Sequence, residues 1–171
     1  MRRIGLGFLA AVVLTGCGER EATPEETAQK AAEDAADIAA VEASQTPPPE
    51  AVQPQRILYE DIEANDMYGA SCAFIPEGEG DRPIALALAD SGFMKIDDEI
   101  QRFAPDKGSA ESAFGSRTRY DGRRLSFMLD IAPGDGRQIG IETVEHQANF
   151  TVRDGRNETV YRAVGTAQCG S

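Results

Sequence analysis

Eight short apolar runs, separated by Gly, Pro and Asp clusters, occupy the last two thirds of this chain. That rhythm narrows its fold more than any other feature. The runs are residues 71–75, 83–89, 93–96, 100–104, 125–131, 138–144, 148–152 and 160–169. Their lengths suit strands, and Gly, Pro and Asp at their ends supply turns. The clearest is Leu125 to Ile131, where Leu125, Phe127, Leu129 and Ile131 alternate with Ser126, Met128 and Asp130. Period-two alternation gives one face to a core and the other to solvent. Within residues 56–171 only Leu58 to Met67 has helical character, a turn or two leading into the domain. Short strands at this spacing predict a mainly β domain, a small antiparallel β-sandwich or barrel. Residues 56–171 are long enough for one core and too short for two.

One triplet recurs: Asp121-Gly122-Arg123, Asp135-Gly136-Arg137 and Asp154-Gly155-Arg156. Asp-Gly is favoured where both central residues of a tight hairpin need positive φ. The spacing is too irregular for a repeat architecture, so the triplets read as three turns.

Upstream, the composition changes. Residues 18–55 are rich in Ala, Glu, Gln and Pro and hold no aromatic residue. Thr23-Pro24-Glu25-Glu26 is a helix start: a hydroxyl cap, proline at the first position, and acids facing the positive end of the dipole. Ala28 to Ala43 continues with strong helix formers. Thr46-Pro47-Pro48-Pro49 ends the helix and favours an extended polyproline segment. With only Ile38 and Val41 as larger apolar groups, this stretch reads as a solvated helical and Pro-rich tether.

At the start of the chain, Arg2 and Arg3 precede the apolar run Ile4 to Leu14, which ends in Leu14-Thr15-Gly16-Cys17. The run is about eleven residues, well short of the about 20 that span a membrane, and it matches the short core of a secretory signal. This order of charge, apolar segment, small residues and cysteine resembles a bacterial lipoprotein signal with its lipobox. The resemblance implies cleavage before Cys17, a diacylglycerol on its sulfur and an acylated new amino terminus. The organisation is then a signal peptide at 1–16, a lipid-anchored tether at 17–55 and a globular β domain at 56–171. Gly18 after the lipidated cysteine implies sorting to the outer membrane in Gram-negative lipoproteins, with the domain in the periplasm.

The resemblance also assigns the cysteines. With lipid on Cys17, Cys72 and Cys169 remain in a compartment where disulfides persist. A bridge between them would tie the first strand of the domain to the last; the alternative is two separate buried thiols. Cleavage removes Arg2 and Arg3 and no acid, which leaves 15 basic against 29 acidic residues, a formal charge of −14. Such a chain is unsuited to nucleic acid, and its macromolecular partners are expected among basic envelope proteins.

Few residues offer chemistry. There is one histidine, His146, whose polar flanks Glu145 and Gln147 place it on a surface loop. No serine sits in a Gly-x-Ser-x-Gly elbow, and paired cysteines leave no thiol for nucleophilic work. Glu77-Gly78-Glu79-Gly80-Asp81 lacks the spacing of a calcium loop. These observations predict no enzyme, no cofactor and no metal, with an enzyme using paired carboxylates as the remote alternative. The sharper feature is a hairpin at Tyr120. If Asp121-Gly122 is its two-residue turn, Arg119 lies opposite Arg124 and Arg117 projects from the same face. Like charges across a strand pair repel, so this cluster is a candidate site for an anionic cell-wall ligand. Its alternative is pairing with the domain's own acids.

Gly115-Ser116-Arg117-Thr118-Arg119-Tyr120 resembles, with a different order and length, the Ser-Gly-x-x-Tyr segment of the membrane-bound inhibitors of c-type lysozyme. Those inhibitors are acidic lipoproteins with a small β domain bounded by cysteines. The likeness carries over only Ser116, and it implies a polar loop set into the cleft of a basic peptidoglycan hydrolase. The leading expectation is a non-catalytic binding or assembly domain in the envelope, with hydrolase inhibition second.

Overall fold

The computed structural model describes residues 23–45 and 47–171. The expected signal segment and Cys17 lie outside the described residues. The chain divides into two units, Met1–Pro47 and Pro48–Ser171.

In the first unit, helix α1 spans Pro24–Gln45. Its start is the capping arrangement that the sequence indicates. Thr23 Oγ1 accepts from the Glu26 backbone N–H at 3.2 Å, and the Thr23 backbone N–H donates back to Glu26 Oε2 at 2.8 Å. Two otherwise unpaired donors are thereby satisfied. No residue of α1 is buried, in keeping with a solvated spacer. Among the described residues, no helix is long and apolar enough to cross a membrane.

The second unit holds nine strands: β1 (Ser71–Pro76), β2 (Ala85–Leu88), β3 (Gly92–Ile96), β4 (Glu99–Pro105), β5 (Arg119–Asp121), β6 (Leu125–Ile131), β7 (Arg137–Gln138), β8 (Val144–Asp154) and β9 (Thr159–Gly170). Strands β1 to β6 lie side by side in chain order, β6 pairs with β8, β8 with β9, and β9 with β1. Every pairing is antiparallel. The sheet therefore closes on itself through eight strands as an up-and-down barrel, and β7 is a two-residue addition on β8. Closure removes the exposed edges that an open sheet must protect.

Cys72 and Cys169 are direct partners in the β1–β9 ladder and are bonded to each other, with Cα atoms 4.0 Å apart. The bridge ties the first strand to the last, across the seam where the barrel closes.

The interior is a filled core. Phe74, Phe103, Tyr120, Phe127 and Phe150 are all fully buried. Phe127 lies at their centre, its centroid 4.8 Å from Tyr120, 5.1 Å from Phe103 and 5.4 Å from Phe150. Gly92 makes room for this stack, because a Cβ there would sit 2.6 Å from Phe127 and 2.7 Å from Tyr120. The interior aromatics and the Val, Ile and Ala residues around them leave the barrel a packed body.

One part of the wall has a second apolar face. Helix α2 (Tyr59–Asn65) lies outside the barrel, and Ile57, Met67, Leu86, Leu88 and Phe93 form a small cluster with Ile62. All four residues of β2 are consequently buried, which explains why the run from Pro83 to Ala89 does not alternate. Lys95 fixes the helix by donating to Asp61 at 2.9 and 3.1 Å. Burial raises the Asp61 carboxyl, but the Leu58 backbone N–H and the Lys95 ammonium outweigh it and hold it below its ordinary 3.8. A depressed acid contributes stability that is complete above its unfolded value and is lost as pH falls through the folded value. Acidification below about pH 4 is expected to weaken the hold of Lys95 on α2. Urea unfolding across that range tests this, and Asp61→Asn should flatten this part of the pH dependence.

The unit takes in more chain than the apolar runs indicate. The Val52 backbone N–H donates to Val160 O at 3.2 Å, Gln55 bridges to Lys95, and the Ile57 N–H donates to Pro83 O at 2.8 Å. Residues 48–57 thus enter at one end of the barrel, called here the entry end. The β1–β2 loop and the β3–β4, β5–β6 and β8–β9 turns lie at that end. The far end carries the β2–β3 turn, the long β4–β5 loop and residues 132–143.

The expected strand at 138–144 is a correction. Strand β7 stops at Gln138, and Ile139 and Gly140 both donate to Thr143 O, closing a loop before β8 begins at Val144. Ile141 is fully exposed there. Gly140 interrupts an alternation that otherwise imitates a strand.

Candidate ligand-binding surface

With the interior packed, chemistry is confined to the outer surface, and charge is divided across it. Residues 56–111 carry 5 basic and 13 acidic side chains, whereas residues 117–162 carry 8 arginines and 7 acids. In a barrel whose strands follow chain order, two halves of sequence are two halves of the wall. Strands β1–β4 with α2 form an acidic side, and β5 to β9 form a side rich in arginine.

The strand register assembles that second side. Arg119, Met128, Thr151 and Arg162 pair in one row across β5, β6, β8 and β9. Asp121, Ser126 and Arg153 make the next row. The β5–β6 turn does not have Asp121-Gly122 at its centre. Instead the Gly122 N–H donates to Leu125 O at 2.8 Å, and Arg123 and Arg124 occupy the tip. Arg119 accordingly pairs with Met128, not Arg124. Gly122 has a different role from the expected one: a Cβ there would meet the Phe103 ring at 2.9 Å, so glycine is needed for close approach.

Between the β5–β6 and β8–β9 turns lies an open depression of about 330 Å³. Arg119, Arg123, Arg124, Asp121 and Asp154 line it, together with Ser126 and Asn157. Both acids are already committed. Asp121 Oδ1 accepts from Arg119 Nε and Nη2, each at 2.9 Å. Asp154 Oδ1 accepts the backbone N–H groups of Arg156 and Glu158 at 2.9 Å. The Glu158 N–H is the largest cause holding the Asp154 carboxyl below its ordinary value; burial opposes it, and Arg156 adds to it.

The structure brings together two of the four expected ligand-binding residues. Arg119 and Arg124 share the depression. Arg117 and Ser116 belong to the β4–β5 loop at the far end. Arg117 pairs with Glu111 at 3.3 Å and donates to Ser109 O. Ser116 is 1% exposed, its hydroxyl donating to Ala113 O at 2.7 Å, with Cys72 Sγ 3.9 Å away. It serves the loop's own fold and is not displayed to a ligand.

That loop is tightly held. The Ser112 N–H donates to Ser116 O, the Thr118 N–H to Ala110 O, and the Arg117 N–H to the Tyr120 hydroxyl, which itself donates to Leu88 O inside the barrel. Burial pushes the Tyr120 hydroxyl up, against the opposing effect of Arg117. At the loop's crest Phe114 has φ 54° and ψ 30° and is 49% exposed. An aromatic residue in the left-handed region is strained, and this one stays half exposed.

His146 is also placed differently from the expectation. It lies within β8 opposite Ala167 and is half-buried, on the same face as Ala148 and Phe150. Its flanks Glu145 and Gln147 are polar because they point the other way, the ordinary consequence of strand alternation. Glu145 is held below its usual range by Arg137 first and then Gln168, against burial. The Glu77–Asp81 loop is exposed, and among the described residues no group of three or more His, Cys, Asp or Glu side chains is arranged to hold a metal ion.

Compared with known proteins, the chain matches no family model, no curated protein and no solved structure.

Proposed function

We propose that this chain is a lipid-anchored protein of the cell envelope whose barrel binds envelope components through its outer surface and does not catalyse. The observation that carries this reading is the filled interior. An eight-stranded barrel is just wide enough to be filled by side chains or to hold one small ligand, and here five buried rings take that space. Binding is left to the exterior, where charge is sorted onto two sides. The Cys72–Cys169 bridge supports an oxidising compartment outside the cytoplasm, and the lipobox sequence ending at Cys17 supports the anchor and outer-membrane sorting. Removing the thiol removes the lipid acceptor: Cys17→Ser should leave the protein unacylated and release it from the membrane fraction, as read by intact mass and fractionation. A variant that stayed acylated and membrane-bound would refute the anchor.

A second reading, inhibition of a basic peptidoglycan hydrolase, is favoured by the acidic side and by the rigid loop that displays Phe114. It differs from the expected carry-over, since Phe114 and not Ser116 faces outward. Immobilised full-length protein, incubated with envelope extract at low salt, tests both readings. Attraction between exposed charges is screened by ions. Elution by salt of a basic hydrolase whose activity the protein suppresses would place the second reading first. Binding to hydrolase-free cell-wall or lipid fractions supports the first.

A further inference from the structure

We propose that the depression between the β5–β6 and β8–β9 turns is a phosphate-binding site, with Arg123 and Arg124 as its principal ligands and Arg119 beside them. It deepens the binding reading by naming a ligand class for one surface.

Three observations converge on it. The first is an imbalance of pairing. Both acids lining the depression are engaged by other donors, Asp121 by Arg119 and Asp154 by two backbone N–H groups. Among the described residues, neither Arg123 nor Arg124 has an acid within ion-pair distance. The two are neighbours on one turn tip and line the same depression, so their uncompensated charge falls at one place on the surface.

The second is a buried donor next to the depression. Arg153 pairs with Ser126 in the strand register, and Ser126 lines the depression. Arg153 Nη1 donates to Asn157 O at 3.0 Å, but its buried Nε has no hydrogen-bond partner. Buried donors are ordinarily paired; Arg153 does not itself line the depression, so it adds positive charge behind the site and is not a ligand within it.

The third is geometry. Guanidinium groups present planar forks of N–H donors that match oxyanions. One fork suffices for a carboxylate. Two adjacent forks on a tip, with a third arginine held in place by Asp121, suit a group with more oxygens and more charge, which is a phosphate ester or a diphosphate. The site lies at the entry end of the barrel and is open to the surface, so a phosphate on a lipid headgroup and a phosphate in solution are both sterically admissible.

The test uses the full-length protein in nanodiscs of neutral phosphatidylcholine, titrated with inorganic pyrophosphate and followed by the amide NMR signals of Gly122 and Gly155. Saturable shifts of both signals are expected. Arg123→Gln with Arg124→Gln should weaken the apparent affinity at least about tenfold, the scale of losing charge-assisted hydrogen bonds. Arg82→Gln, a charge change in the β1–β2 loop, should leave it unaltered. Both variants alter exposed loops, and unchanged amide spectra elsewhere would confirm intact folding. Nanodiscs containing phosphatidylglycerol separate the sources. Arg-dependent shifts without pyrophosphate identify a headgroup phosphate; shifts only with pyrophosphate identify a soluble one. Either result supports the site. Absence of shifts at millimolar pyrophosphate, or equal affinity in the double variant, would overturn it. Such a failure would leave the wider binding reading to stand or fall on the envelope capture.

Discussion

Replacing Cys72 and Cys169 together by alanine is expected to lower the unfolding free energy by about 2–5 kcal/mol, the range for loss of a native disulfide. The pair spans 97 positions of sequence. For a loop of that size, chain entropy alone gives about 4.7 kcal/mol, before any strain in the native state. The position matters as much as the span. β1 and β9 are the only neighbours in the ring whose pairing depends on the two ends of the meander meeting, and the bridge makes that meeting permanent. Both sulfurs are also fully buried, so the substitution removes packing as well as a crosslink. Denaturant titration of the oxidised protein, of the same protein after reduction and of the variant measures the effect. An unchanged midpoint would show that the seam holds without its bond.

Phe127→Ala should have an effect of similar size, about 3–5 kcal/mol, as for other buried aromatic truncations. The ring touches Phe103, Tyr120 and Phe150 and lies over Gly92. A barrel wall is hydrogen-bonded all round and has little freedom to collapse onto the space left behind. Gly92→Ala in the intact protein should itself destabilise by about 1–3 kcal/mol through overpacking. In the Phe127→Ala background that penalty should shrink, because the methyl group then enters the vacated volume. A double-mutant cycle from thermal or urea unfolding reads the coupling. Strictly additive effects would mean that Gly92 and Phe127 do not share the space the structure gives them.

The strand pattern was legible because alternation reports burial directly. In β6, Phe127 and Leu129 are buried and Asp130 is exposed, as the alternation requires. The tether helix was legible from its cap, since Thr23 and Glu26 satisfy each other locally. A sandwich and a barrel were not distinguishable. Both use the same strands, and the difference is whether β6 meets β8 and β1 meets β9, which is long-range pairing that no local pattern contains. The two terminal cysteines were the one sequence feature that pointed to such a contact.

The surface was less legible, for a reason specific to strands. Which residues share a face depends on where each reversal falls, and a shift of register rearranges every neighbour. The Asp-Gly pairs suggested three alike turns. In fact Gly122 is a close-contact residue, Gly136 has φ +67°, and in the third turn Asn157 takes the left-handed conformation at φ 64°. The shift at the first turn separated Arg119 from Arg124 as strand partners, moved Arg123 and Arg124 to the tip, and set them beside the β8–β9 turn. Arg123 was visible in the sequence only as part of a triplet. Phe114 carried no signal at all, because a single aromatic in a polar loop reads as ordinary core. His146 is hard to place for a related reason: polar neighbours that imitate a loop are here the outward half of a strand.

Photo-cross-linking in the intact envelope tests whether the barrel engages an envelope component through its exterior. A photoreactive residue at Phe114, on the far-end loop, or at Met128, in the arginine row, should give a discrete adduct with an envelope component. The same residue at Ile38 in α1, a solvated spacer, should give none. Absence of any adduct from positions 114 and 128 would mean that the barrel exterior does not bind an envelope component.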